Sequence, residues 1–425
     1  MTGLAGSAGP LAGGAGNGGP LTGVKVVDLT INVLGPVATQ MLGDMGAEVI
    51  KVETPQGDPM RESGPGRHPR MSVFYMNMNR NKKSVVLDLK VPAALDALLR
   101  LAESADVIVH SMRPQAAERL GIGAAAIAAR NPRAIYAFAP GYRSDGPNRD
   151  RPAFDDVIQG ESGVAGLMHR ATGEARYFPS VMSDKLCGVY LASAISMALY
   201  ERERSGRGQV VEVPMLETML SFNLVEHLWT GAFGPDEGRL GYVRALSPHR
   251  RPYATRDGFI CLLAVNDEQW KRLFVALDRP ELAADERFAN ITGRTRHIDD
   301  LYAIVAAQVA KRASAEWRER LDAADIPNGS MNELDDLPGD AYLAETGFFR
   351  SYQHPSEGPL ITTAISQKFS RTPGAMRLAP PRLGQHNREV LQSLGYSESE
   401  ITAIGAGAVS TDVVSKRLTG QDCAE

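Results

Sequence analysis

The stretch VKVVDLTINVLGPVATQMLGDMGAEVIKVE, residues 24–53, decides the fold. Val24-Lys25-Val26-Val27-Asp28-Leu29 is short, β-branched and almost continuously apolar, the pattern of a strand buried on both faces. Gly35-Pro36 opens a helix in which Val37, Met41, Leu42 and Met45 recur at helical spacing, and Gly46 closes it. Ala47 to Glu53 is a second buried strand, so the stretch is a βαβ unit. A unit of this kind ending in an acidic residue invites a dinucleotide-binding reading. The turn Thr30-Ile31-Asn32-Val33-Leu34-Gly35 lacks the G-x-G-x-x-G spacing that lets a pyrophosphate approach the backbone, which argues against a nicotinamide-dependent dehydrogenase.

The alternation continues outward. Ser84 to Leu89, Asp106 to His110, Ala134 to Phe138 and Gln209 to Val213 read as strands, and Pro92 to Ala105 as a helix. Strands alternating with helices imply a mostly parallel sheet covered on both faces. Residues 21–220 are therefore expected to form a large α/β domain and 221–252 a connector. Residues 253–325 should form a small α+β domain, with a hairpin turning at Arg256-Asp257-Gly258 and three helical patterns after it. From Ile326 to about Ser370 the chain is turn-rich, and Asn387 to Leu394 is the last helical segment before Gly395-Tyr396. Such long irregular connections are unusual inside one compact domain and suggest segments that span between domains or subunits.

Composition narrows the function. A formal net charge of −4 gives no reason to propose nucleic acid or an anionic membrane surface. Cys187, Cys261 and Cys423 are far apart and odd in number, which makes neither a disulfide framework nor a metal site. A reducing cytoplasm fits best. Residues 1–20, almost all Gly, Ala, Pro and small polar residues, read as a flexible tail with too little to bury. They lack the basic start and apolar core of a signal peptide, and no run approaches the ~18 apolar residues of a membrane span.

Ser183-Asp184 precedes a run in which Leu186, Val189, Ile195 and Leu199 recur at helical spacing until Gly206. Asp184 thus sits at or beside a helix N-terminus. By local sequence it is an N-cap; by the same physics the helix end stabilises an ionised carboxylate, which can act as a nucleophile.

The chain resembles the class III CoA-transferases, a family that includes formyl-CoA transferase, carnitine CoA-transferase and α-methylacyl-CoA racemase. The motifs that carry the resemblance run in order from LTGVKVVDLT (21–30) through LGDMGAEVIKVETPQGDPMR (42–61), NRNKKSVVLDLK (79–90) and ADVIVHSMRPQAAERLG (105–121). NPRAIYAFAPGY (131–142), RPAFDDVIQGESG (151–163), the segment from Ser183 to Gln209 and APPRLGQHNREVL (379–391) complete it. The resemblance implies a Rossmann-like large domain built from both chain ends, with residues 326–425 returning to it, a small domain, and an interlaced homodimer. It implies acyl-CoA and a small carboxylic acid as substrates, with no permanently bound cofactor. It makes Asp184 the nucleophile and places Asn32, Val33, Leu34, Lys83, Ser111, Met112 and Arg119 along the CoA.

Two departures bear on the substrate. Thr54 stands where formyl-CoA transferase has an arginine, and Gly241 to Arg251 replaces that enzyme's glycine-rich loop, so formate and oxalate are not expected. The racemase histidine falls at Phe154, which cannot carry a proton and belongs instead to the substrate-facing region. His249, Arg250 and Arg251 are candidates for the distal carboxylate of a dicarboxylic acid, because arginine forms bidentate carboxylate pairs. A CoA-transferase is the reading, with a racemase of the same fold and a non-catalytic acyl-CoA-binding subunit as alternatives.

Overall fold

The strand-rich motifs assemble into one sheet. The computed structural model describes residues 18–406, and most of the expected N-terminal tail, residues 1–17, lies outside them. Six strands, β1 (Lys25–Leu29), β2 (Glu48–Glu53), β3 (Lys82–Val86), β4 (Val107–His110), β5 (Ile135–Phe138) and β6 (Val210–Glu212), pair in the order β3-β2-β1-β4-β5-β6. Every pairing is parallel. The order reverses between β1 and β4, and in such sheets a crevice opens there, beyond the carboxyl ends of the strands.

The chain divides into two units: one from residues up to 161, 179–219 and 345 onward, the other from 162–178 and 220–344. In the first unit the Pro92–Glu103 helix covers one face of the sheet through Leu98 and Leu101, which join Val27, Ile108 and Tyr136 in the core. The C-terminal segment seals the β3 edge. Ser84 N–H donates to His386 Nδ1 at 3.1 Å and Val86 N–H to Asn387 Oδ1 at 2.8 Å, so the edge strand's free backbone groups are satisfied by side chains. Val390 and Leu391 of the following Asn387–Ser393 helix enter the same core.

β3 ends at Val86, short of the expected Leu89, because Leu87 to Lys90 turn away into the crevice wall. An antiparallel hairpin, Phe349–His354 with Gly358–Thr363, lies where the sequence reads as irregular. Of its first strand only Tyr352 and His354 are buried, so no apolar run announces it.

The second unit is wider than residues 253–325. It holds a small antiparallel sheet of Tyr253–Ala254, Phe259–Leu262 and Asn328–Ser330, with the Asp267–Ala276, Ile298–Val309 and Ser314–Ala323 helices. Trp270, Phe274, Tyr302 and Trp317 fill its core. Among the described residues no helix is long and apolar enough to cross a membrane.

Candidate active site

Asp184 lies in the first turn of the 24-residue helix Met182–Ser205, where no side chain caps the N-terminus. It is inside the helix rather than its N-cap. Its own N–H is held from a distance: Asp155 Oδ1 accepts it at 2.9 Å. Asp155 opens the short Asp155–Glu161 helix and is buried; its Oδ2 accepts the Gln159 amide at 2.6 Å, and Gln159 also donates to Ser180 O at 3.0 Å. Burial, and then the Asp155 charge, push the half-buried Asp184 carboxyl up to about 7. The helix N-terminus acts the other way, so Asp184 is a carboxylate poised between forms near neutrality. Cys187, one turn on, is no rival nucleophile. Its thiol is buried and pushed up to about 12 by burial, with Asp184 and Asp155 adding to it, so it stays protonated.

One turn beyond Asp184, Gly188 lies against the Leu34–Asp44 helix. A Cβ there would come within 2.6 Å of Leu34 O, so only glycine permits this approach. The loop leading to Leu34 carries Asn32 in the left-handed region at φ 64°, a conformation asparagine tolerates. The Leu34–Asp44 helix has no side-chain cap, which leaves the first-turn N–H groups of Leu34 and Gly35 without an intrahelical acceptor.

Ile31, at the other end of this loop, lines a cavity of about 730 Å³ at the carboxyl ends of the strands. Its walls follow β1 (Leu29), β2 (Thr54, Gly57), β3 (Leu87, Lys90) and β4 (Ser111, Met112), which is the crevice expected from the strand order. Arg113 and Arg119 add two guanidinium groups, and Lys90 an ammonium. Ser111, Met112 and Arg119 thus line one cavity, with Asn32, Val33 and Leu34 on the loop that continues from Ile31. Lys90 and Arg113, which line the same cavity, were not singled out in the sequence; Arg113 follows β4 at the switch point, whereas Lys90 follows the edge strand β3.

Lys83 is not part of this group. It points to a different cleft, with its Nζ 2.7 Å from Glu48 and 2.8 Å from Glu389. Its neighbour Lys82 is the one turned inward, fully buried against Asp28. Glu53, the acidic end of the βαβ unit, is buried and bound by Arg61, Ser84 Oγ and Asp58 N–H, so it has no carboxylate oxygen free for a ribose. In the second unit Arg250 and Arg251 are exposed and His249 is half-buried. Arg244, in the same segment, is buried, and its Nε has no hydrogen-bond partner among the described residues. Phe154, next to Asp155, is 66% exposed. Among the described residues no group of His, Cys, Asp and Glu could hold a metal ion.

Comparison with known proteins identifies the family. A family model described as CoA-transferase family III matches residues 21–387. A probable fatty acyl-CoA transferase of Mycobacterium tuberculosis is 36% identical over 325 residues, covering 73% of this chain and 81% of that protein. The succinyl-CoA–D-citramalate CoA-transferase of Chloroflexus aurantiacus is 30% identical, covering 92% of this chain and 98% of its own. The mouse succinyl-CoA:glutarate CoA-transferase is also 30% identical, covering 90% and 88%. A crystal structure of an aspartate-to-alanine variant of the mycobacterial protein superposes with a TM-score of 0.77 at 30% identity, over 87% of this chain and 98% of that one. With the fold matched at that level and the family model spanning most of the sequence, this protein belongs to CoA-transferase family III and is a CoA-transferase enzyme.

Proposed function

We propose that the enzyme moves CoA from an acyl-CoA donor, succinyl-CoA being the first to try, to a free carboxylic acid through covalent intermediates on Asp184. The observation that carries this is the pairing of Asp155 with Asp184: a second carboxylate holds the nucleophile's backbone and raises its basicity. In the reaction an Asp184 oxygen attacks the thioester carbonyl, the C–S bond breaks, and CoA leaves as thiolate. The thiolate then attacks the aspartyl carbonyl of the mixed anhydride, releasing the donor acid and leaving an aspartyl-CoA thioester. The acceptor carboxylate repeats both steps in reverse. Covalent catalysis divides one hard exchange into easier ones.

The remaining roles follow from chemistry. Arg119, Arg113 and Lys90 match the phosphates of CoA, with Ser111 and Met112 in the wall beside them. Asn32, Val33 and Leu34 face the thioester end, and the uncapped N–H groups after them suit its developing oxyanion. In the first unit the acceptor acid is assigned to Phe154; in the second unit the segment Arg244 to Arg251 is a separate candidate for a carboxylate. A buried guanidinium without an anion is desolvated at a cost that a carboxylate would offset, which favours Arg244 over exposed Arg250 and Arg251. The names of the Chloroflexus and mouse relatives point to succinyl-CoA as donor and a dicarboxylic acid as acceptor. An interlaced homodimer would cover apolar side chains that one chain leaves exposed, among them Met197 and Tyr200 on the nucleophile's helix.

Mass spectrometry after incubation with succinyl-CoA, with and without hydroxylamine, tests the mechanism. A hydroxylamine-sensitive adduct on the peptide carrying Asp184 is expected. An adduct elsewhere, or none with a panel of acyl-CoA donors, would sink it.

A further inference from the structure

The family motifs around residues 28, 51–61 and 79–82 contribute residues that the proposed chemistry does not use. They meet beneath the loop from Thr30 to Pro36. Asp28, Glu53 and Asp58 supply three carboxylates, Lys51, Arg61 and Lys82 three cations, and all are buried. Lys51 Nζ donates to Thr30 O at 2.7 Å and pairs with Asp58 Oδ2 at 2.9 Å. Asp58 Oδ1 accepts the N–H of Asn32 at 3.2 Å. Lys82 Nζ donates to Pro36 O at 3.0 Å and to Asn79 Oδ1 at 2.9 Å, and lies 3.2 Å from Asp28 Oδ2. Asp28 Oδ1 in turn accepts the N–H of Thr30 at 2.9 Å.

A surface loop needs no such device. Burying six charges costs several kcal/mol per ion before pairing offsets it, and well-packed apolar residues would often serve stability as well. What the charges add is orientation. Two ammonium groups draw the carbonyls at both ends of the loop inward, and one carboxylate fixes the N–H of its left-handed residue. Gly35 completes the fit, since a Cβ there would collide with the Thr30 side chain.

We infer that Lys51 and Lys82 are positioning residues that hold the Thr30-to-Pro36 loop with its end carbonyls turned inward, which leaves the first-turn N–H groups of Leu34 and Gly35 to receive the thioester oxygen. The second half of this rests on the acyl-transfer reading above. Burial brings the Lys82 ammonium down to about 8 despite Asp28, whereas for Lys51 burial is outweighed by Asp58, Asp28 and Glu53, which hold it above its usual range.

The test compares Lys82→Met with the charge-balanced double variant Lys51→Met, Asp58→Asn, which folds without an orphaned carboxylate. Single-turnover acylation of Asp184 by succinyl-CoA is followed by intact mass, and hydrogen exchange of the peptide spanning the loop is read beside that of the sheet strands. Acylation is expected to slow about 100-fold at saturating donor, the scale of losing an oxyanion contact, with donor affinity within about threefold. Loop exchange should quicken while the strands stay protected. Acylation and loop exchange both within about threefold of the parent protein, in both variants, would overturn the inference. If the parent protein itself is not acylated by any donor, the acyl-transfer reading fails. The exchange result then decides the clamp alone: loosening confined to the loop supports it, and unchanged exchange overturns it.

Discussion

Asp155 Oδ1 accepts the backbone N–H of Asp184 at 2.9 Å, so one carboxylate both positions the proposed nucleophile and repels its charge. The two effects have opposite consequences for catalysis at low pH. Holding the first turn fixes where the carboxylate oxygens sit, whereas the repulsion adds to burial, the larger cause, in delaying ionisation until about pH 7. A more basic carboxylate is also the stronger nucleophile once ionised.

In the proposed mechanism Asp184 attacks as the anion, so kcat/KM should rise with pH and level off above about 7. Asp155→Asn keeps an oxygen for the hydrogen bond but removes the charge. The acid limb should move down by roughly one unit, since burial, the larger cause, remains. Turnover on the plateau should fall about tenfold as the nucleophile weakens. A limb that stays in place would assign it to another group. The pH profile of kcat/KM in the variant and parent protein decides this.

The same shift makes a stability prediction. The folded carboxyl titrates near 7 and the unfolded one near 3.8, so between these values the folded state binds more protons and stability declines as pH rises. Above about 7 the full penalty is present; below 3.8 it vanishes. Asparagine does not titrate. Asp184→Asn should therefore stabilise the fold at pH 8 by about 2–4 kcal/mol and much less at pH 4.5, while abolishing transfer. Urea unfolding at the two pH values measures it, and a pH-independent difference would mean the carboxyl is solvated.

The sheet was legible because parallel strands buried on both faces read as apolar runs, as Val24 to Leu29 and Ala47 to Val52 do. The hairpin at Phe349–His354 was not, since its first strand is polar at most positions and its second opens on Gly358-Pro359. The position of Lys83 away from the cavity has a cleaner cause. Adjacent strand residues point to opposite faces, so Lys82 and Lys83 are identical in sequence terms until the register of β3 is known. Asp184 was visible through its motif, but its partner Asp155 was not, because a contact between two helix starts leaves no local pattern. Arg244 is not distinguished in the sequence from the more conspicuous His249-Arg250-Arg251, and burial is what sets it apart.

Gly188→Ala offers a test of the helix contact that joins the nucleophile to the loop. In an isolated helix alanine would gain about 1 kcal/mol over glycine. Here the new Cβ meets the Leu34 carbonyl at 2.6 Å, a backbone atom that cannot swing aside. Forced separation of packed elements costs about 1–3 kcal/mol, so the steric term should win and the variant should be modestly less stable. Because the shift moves Leu34 relative to Asp184, kcat should fall more than donor KM changes. Steady-state kinetics beside thermal unfolding would show it, and a variant more stable than the parent protein with normal kcat would refute the contact.

Arg119→Ala and Lys83→Ala form a matched pair, because both remove a cation from a position that the family motifs assign to CoA. Arg119 lines the cavity at the sheet's switch point and has no ion pair within the described residues, so its charge is free for a phosphate. Its loss should raise donor KM about five- to twentyfold, the scale of one charge-assisted contact, with kcat nearly unchanged because the phosphates lie far from the reacting carbonyl. Lys83 is committed to Glu48 and Glu389 at a partly exposed site, where such pairs contribute about 1 kcal/mol or less. Its variant should bind acyl-CoA normally and unfold slightly earlier. Donor KM values for the two proteins, measured at equal ionic strength, separate the assignments: equal effects would return Lys83 to the CoA site, and no effect in either would move the phosphates to Arg113 and Lys90.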